Sequence, residues 1–159
     1  MTRHRKNNLF DVNIPGEVVF RESDHFCAGS EHTVVTIEGI KVGIAICFDL
    51  RFPELSKKMV EDGAKILIFP GAFNTTTGPA HWKTLLRARA IDNQVFVGAC
   101  SPARNPDSSY HAYGHSMIVD PWGKPLYEMD HEEGFFIQDI DVSKVEKIRR
   151  RLPIIKLNK

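Results

Sequence analysis

The apolar positions of this chain fall into short, dense runs separated by polar breaks marked with glycine or proline. Residues 33–37 (Thr-Val-Val-Thr-Ile) and 41–47 are rich in β-branched side chains and flank Glu38-Gly39-Ile40, so the pattern predicts a hairpin. The second run ends at Cys47 and turns polar at once, through Phe48-Asp49-Leu50-Arg51. A helix is predicted over 52–60, with Pro53 near its first turn, where the missing N–H costs nothing. Gly63 is placed to close that helix, and residues 65–70 (Lys-Ile-Leu-Ile-Phe-Pro) read as a second buried strand. Strand, helix and strand in that order predict a parallel βαβ unit. Beyond it the pattern predicts a helix over 80–92, strands over 95–99 and 115–119, a turn over 121–124, strands over 125–128 and 135–140, and a closing helix over 142–151. Residues 11–26, with Pro15-Gly16 as a turn signal, have little periodicity and read as one long loop. A loop of that length inside a compact domain is uncommon unless it carries function.

No repeat, low-complexity tract or linker divides the 159 residues, which are read as one domain over 1–159: α/β, with a mixed sheet covered by helices. The apolar share of 42% and charged share of 26% are those of an ordinary globular protein. A formal charge of +1 supplies no global attraction to nucleic acid or to an anionic membrane, so neither is expected as a partner. Cys27, Cys47 and Cys100 are an odd number without C-x-x-C spacing, which argues against a disulfide framework and against a zinc site. No run is long enough to cross a bilayer, and the first residues lack the apolar core of a signal peptide. A reducing, cytoplasmic location is the expectation.

In an open α/β sheet, binding residues gather where strands end, and three loops begin at such ends: at Cys47, Pro70 and Ala99. A cysteine at a strand-to-helix elbow can face a cleft, where the N–H groups opening the next helix lower its pKa and offer an oxyanion hole. The other reading is a small core residue, since free cysteine is among the most buried types. Position alone leaves both readings standing.

The ordered set Arg5-Lys6-x-x-Leu9-Phe10-Asp11, Glu22-Ser23, Gly43-Ile44-Ala45-Ile46-Cys47-Phe48-Asp49-Leu50-Arg51-Phe52-Pro53-Glu54, Gly71-Ala72-Phe73-Asn74, Gly78-Pro79-Ala80-His81-Trp82, Arg87-Ala88-Arg89-Ala90 and Gly114-His115-Ser116 resembles the nitrilase superfamily of carbon–nitrogen hydrolases. The stretch from Gly71 to Trp82 and Ser101-Pro102-Ala103-Arg104 are most similar to its omega-amidase branch, which releases ammonia from the terminal amide of 2-oxoglutaramate or 2-oxosuccinamate. The resemblance implies Cys47 as nucleophile, Lys6 as its cationic partner, and Glu22 as a second glutamate that orients the lysine or the substrate. A carboxamide is a poor electrophile, so attack needs a thiolate and a holder for the oxyanion; a lysine ammonium serves both, and the Phe48 N–H would be the second oxyanion donor. Phe73, Asn74 and Thr75 are expected to line the acyl pocket, the polar pair facing the far carboxylate of an omega-amide. Asp49, Arg51 and Phe52 are expected to brace the elbow and a subunit interface. His81 and Trp82 read as packing and capping residues, Arg87 and Arg89 as structural ion pairs, and His115 as a core histidine.

The same resemblance implies an α-β-β-α sandwich, incomplete here, with these residues as its C-terminal part. The family's general base is a glutamate from an N-terminal segment, and no residue of this chain is given that role. These residues alone are therefore expected to be inactive, with a homo-oligomer (dimer or larger), a small-molecule amide substrate, and neither metal nor organic cofactor. Two alternatives are a catalytically dead binding or assembly module, and an amidase for another amide such as deaminated glutathione.

Overall fold

The computed structural model describes residues 2–14 and 18–155. Thr33–Ile37 (β3) and Ile40–Ile44 (β4) form the predicted hairpin, turning through Glu38 and Gly39 at φ +49° and +80°. Those two left-handed residues match the right-handed twist of the strands they join. Pro53–Glu61 (α1) crosses to Ile66–Pro70 (β5), parallel to β4, and Thr77–Asn93 (α2) crosses to Phe96–Cys100 (β6), parallel to β5. Met117–Val119 (β7) and Pro125–Glu128 (β8) add antiparallel strands, giving one six-stranded mixed sheet in the order β3-β4-β5-β6-β7-β8. The last helix is Ser143–Arg151 (α3).

The sheet is two-faced. Leu67, Phe69, Val97, Ala99, Met117 and Val119 point to one side, with Leu67 opposite Val97 and Phe69 opposite Ala99. There they pack with Leu55, Met59 and Val60 of α1 and Trp82, Leu86 and Ala90 of α2. The alternate residues Ile66, Ile68, Gly98 and Ile118 are only half-buried. The run at 65–70 read as a fully buried strand, but its Ile66 and Ile68 are only half-buried. Gly43 lets α1 lie close on β4: a Cβ there would stand 2.7 Å from Leu67 Cδ2 and 2.8 Å from Met59 Sδ.

Three expectations change. The long loop over 11–26 contains an antiparallel ribbon of Asp11–Ile14 (β1) and Val18–Arg21 (β2), then a 3-10 turn over Glu22–Asp24; the Pro15-Gly16 signal lies outside the described residues. The second of these strands, Val-Val-Phe-Arg, has no alternation of apolar and polar positions for the pattern to register. The strand expected over 135–140 is irregular instead, with Phe135 and Ile137 87% and 88% exposed. Their β-forming side chains find no strand to pair with among the described residues, and strand propensity is realised only through such neighbours. Helix α2 begins three residues before the predicted start because Asn74 Oδ1 accepts the Thr76 N–H at 3.2 Å and the Thr77 N–H at 2.7 Å.

Leu67→Ala, which empties a site with no exposure, is expected to lower unfolding free energy by about 2–5 kcal/mol. Ile66→Ala, one position away on the half-buried face, should cost less than half as much, as read from urea midpoints.

Candidate active site

The elbow is built from strain and close approach. After β4 the chain stays in parallel register long enough for the Ala45 N–H to donate to Ile68 O at 3.1 Å, then turns into a 3-10 segment over Cys47–Arg51. Cys47 opens that segment at φ +48°, a left-handed conformation that costs a non-glycine residue roughly 1–2 kcal/mol and is tolerated where the surroundings over-determine it. Gly71, just past β5, supplies the room: a Cβ there would lie 2.7 Å from Cys47 Cα.

Asp49, with no exposure, ties a distant segment to this elbow. Its carboxylate accepts the Ile46 N–H at 3.0 Å, the Asn8 N–H at 2.8 Å, Asn8 Nδ2 at 2.9 Å and the Asn7 N–H at 3.4 Å. Residues 7 and 8 are therefore fastened beside Cys47, and Lys6 comes with them. The Lys6 ammonium, 10% exposed, pairs with Glu22, whose Oε2 also accepts the Phe10 N–H at 2.6 Å. Asp49 braces the elbow, as expected of it; the sequence showed no link from it to Lys6.

Cys47, Lys6, Glu22, Phe48, Phe73 and Asn74 all line one cavity of about 390 Å³, a size that suits a small substrate. Thr75 does not line it. The α2 cap turns Thr75 outward to solvent and brings Thr77 to the wall in its place. Asn74 lines the cavity while its Oδ1 is committed to the cap, the Thr77 hydroxyl included at 2.9 Å.

Three polar wall residues were not expected there. Arg51, assigned a bracing role, lies in the cavity with its guanidinium carbon 4.7 Å from the Phe73 ring centroid and 5.8 Å from that of Phe48. Burial lowers its pKa, and the charge that Cys47 can carry opposes this. Tyr110 arrives on the loop after β6 and donates its hydroxyl to Ala72 O at 2.5 Å, the same carbonyl that Cys47 Sγ faces at 3.9 Å. Thr77 is the third. An arginine four residues after the candidate nucleophile was a usable signal for the first, whereas nothing near Tyr110 in the chain points to Cys47. Of the other candidates, Trp82 is buried and donates Nε1–H to His115 O at 2.8 Å, Arg89 is buried and donates to Leu50 O at 3.0 Å, and Arg87 donates to Gly123 O at 2.8 Å. None of the three lines the cavity. His115 precedes β7 at φ +58°, its ring stacked on Tyr113 at 4.1 Å.

The electrostatics correct one expectation. Burial pushes the Cys47 thiol above its ordinary value. Hydrogen bonding to the backbone at Ala72, the Lys6 charge and hydrogen bonding to the backbone at Phe48 pull down, Glu22 adds to the rise, and burial wins. Lys6 therefore moderates the thiol without making it a thiolate at neutral pH, so attack on a carbonyl needs a proton acceptor. Glu22 is the one carboxylate on the cavity wall among the described residues, and its Oε2 is already taken by Lys6 and the Phe10 N–H.

Iodoacetamide modification of Cys47, followed peptide by peptide, should rise only on the alkaline side of the usual thiol range. Lys6→Met should shift that rise further alkaline and slow the reaction at pH 8 by about tenfold, because removing a nearby cation disfavours the thiolate. Gly71→Ala, which crowds the elbow, should slow it without moving the pH profile.

Residues 1–150 match the family model described as carbon-nitrogen hydrolase. The chain is similar to nitrilase homolog 2 of Dictyostelium discoideum (50% identical, covering 96% of this chain and 46% of that one) and to omega-amidase NIT2 of Mus musculus (47%, covering 98% and 56%). Among solved structures, Saccharomyces cerevisiae Nit3, described as a member of branch 10 of the nitrilase superfamily, superposes with a TM-score of 0.86 at 44% identity, over 96% of this chain and 53% of that one. The chain spans about half the length of the curated relatives it matches. By sequence and by fold alike, it belongs to the carbon–nitrogen hydrolase family of the nitrilase superfamily.

Proposed function

We propose that this chain carries the nucleophile half of an amidase that hydrolyses the terminal amide of a small dicarboxylate, such as 2-oxoglutaramate, through a cysteine thioester. The observation that supports it most is the placement of Cys47 on a left-handed elbow in a small cavity, with Lys6 and the Phe48 backbone acting on its sulfur. Similarity to proteins named omega-amidase supports the substrate class.

In this reading the Cys47 thiol gives up its proton and the sulfur adds to the amide carbon, placing negative charge on the carbonyl oxygen. The Lys6 ammonium and the Phe48 N–H hold that oxyanion, and Glu22 keeps Lys6 aimed. Collapse breaks the C–N bond; the nitrogen takes a proton and leaves as ammonia, with a thioester on Cys47. Water then adds to the thioester carbon, and the carboxylate leaves as the thiol is restored. Each step moves a proton; Glu22 Oε2 is committed to Lys6 and the Phe10 N–H, and the reading assigns the proton transfers to a group outside these residues. Arg51, held between the Phe73 and Phe48 rings, is the cation best placed to take the far carboxylate, with Thr77 beside it in the wall. No metal or organic cofactor enters. A cytoplasmic location belongs to the same proposal, supported by three unpaired cysteines; among the described residues, no helix is long and apolar enough to cross a membrane.

The test is ammonia release from 2-oxoglutaramate and from succinamate, with Cys47→Ala as control. Release should depend wholly on Cys47, and Lys6→Met should cut kcat by roughly 10²–10³-fold. Arg51→Met should raise KM for the dicarboxylate amides while sparing a neutral amide. Release that survives Cys47→Ala would overturn the assignment.

A further inference from the structure

His4 stands two residues before Lys6, its side chain 4% exposed and outside the cavity that holds Cys47. Its Nδ1 lies 2.9 Å from Thr33 Oγ1 on β3, and its Nε2 faces Asp49 Oδ2 at 3.7 Å, with no hydrogen-bond partner of its own. That distance is an ion-pair distance, longer than a hydrogen bond. The two neighbours differ in what they allow. A carboxylate only accepts, so Nε2 must carry a proton to be attracted to Asp49; a threonine hydroxyl can donate to Nδ1 of the neutral ring or accept from it when the ring is charged. Thr33 therefore suits His4 in either state while Asp49 selects the Nε2–H form.

Asp49 needs such a neighbour. It has no exposure, and the hydrogen bonds it accepts all come from neutral donors: the N–H groups of Ile46, Asn7 and Asn8, and the Asn8 amide. Among the described residues, His4 is the one group able to become a cation that reaches within 4 Å of it. A buried carboxylate without a counter-charge is costly to keep in place.

We propose that His4 is a positioning residue: through Nε2–H it holds the Asp49 carboxylate, and so sets the Lys6 ammonium against Cys47. The inference rests on the reading of Lys6 as the cation that acts on Cys47. His4 touches neither the cavity nor the sulfur and works only through Asp49 and the 7–8 backbone.

The test is the pH profile of iodoacetamide modification at Cys47, with exposed Cys27 and Cys100 as internal references and thermal unfolding alongside. The charged cavity groups Lys6, Glu22 and Arg51 are kept in each single variant. His4→Phe keeps a flat ring and loses both nitrogens; it should slow Cys47 modification at neutral pH roughly threefold or more, moving the profile alkaline with its plateau intact. His4→Gln, which restores a donor towards Asp49, should recover most of the rate. Thr33→Val should move the profile the same way by less, and it serves where His4→Phe does not fold. In a Lys6→Met background, His4→Phe should add nothing, because the cation it positions is gone. An unmoved profile midpoint, an equal change at all three cysteines, or full additivity with Lys6→Met would each overturn the proposal. The readout needs no turnover, so ammonia release that survives Cys47→Ala alongside the coupled shift sinks the amidase reading alone.

Discussion

The buried carboxylate of Asp49 is the constraint on which the site depends. It sits in the first turn after Cys47 and reaches back to residues 7 and 8, some forty positions earlier in the chain. A charge with no exposure is stable only when its oxygens are filled, so the N-terminal segment must stay docked for the elbow to keep its shape, and the elbow must keep its shape for that segment to dock. Lys6 inherits its place from this mutual requirement. The Phe10 ring, 5.0 Å from Phe48 and 5.8 Å from Phe20, adds an apolar seal from the same segment.

A second tension is local to the sulfur. Cys47 is held in a conformation that L-residues resist, against a glycine that leaves just enough space, in surroundings that favour the neutral thiol. Lys6 and the backbone at Phe48 favour the charged form, and burial outweighs them. Such a balance favours the neutral thiol, with the Lys6 charge as the weaker influence. It also separates two roles that the sequence reading had merged in Lys6: activation of the thiol and stabilisation of an oxyanion.

The sheet supplies the platform. Parallel strands β4, β5 and β6 end on the same edge, and the segments leaving them carry Cys47, then Phe73 and Asn74, then Tyr110, so three strand-end loops deliver much of the cavity wall. Helices α1 and α2 pack on one face; on the other the isoleucines of β5 and β7 are half-buried, while Val42 and Phe96, in register with Ile66, are buried.

The chain by itself determined the βαβ core, the hairpin at Glu38-Gly39, the elbow at Cys47 and the family, because each of these is written in local periodicity, turn chemistry or contiguous motifs. It also brought Lys6, Glu22, Phe73 and Asn74 into view through motif position. Tertiary structure alone decided that Thr77 replaces Thr75, since a cap from Asn74 sets where α2 begins. It alone placed Arg51 and Tyr110 in the cavity, paired β1 with β2, left 135–140 without a strand partner among the described residues, and raised the thiol pKa instead of lowering it. Desolvation and long-range hydrogen bonding depend on which surfaces meet, and neighbours along a chain carry no record of that.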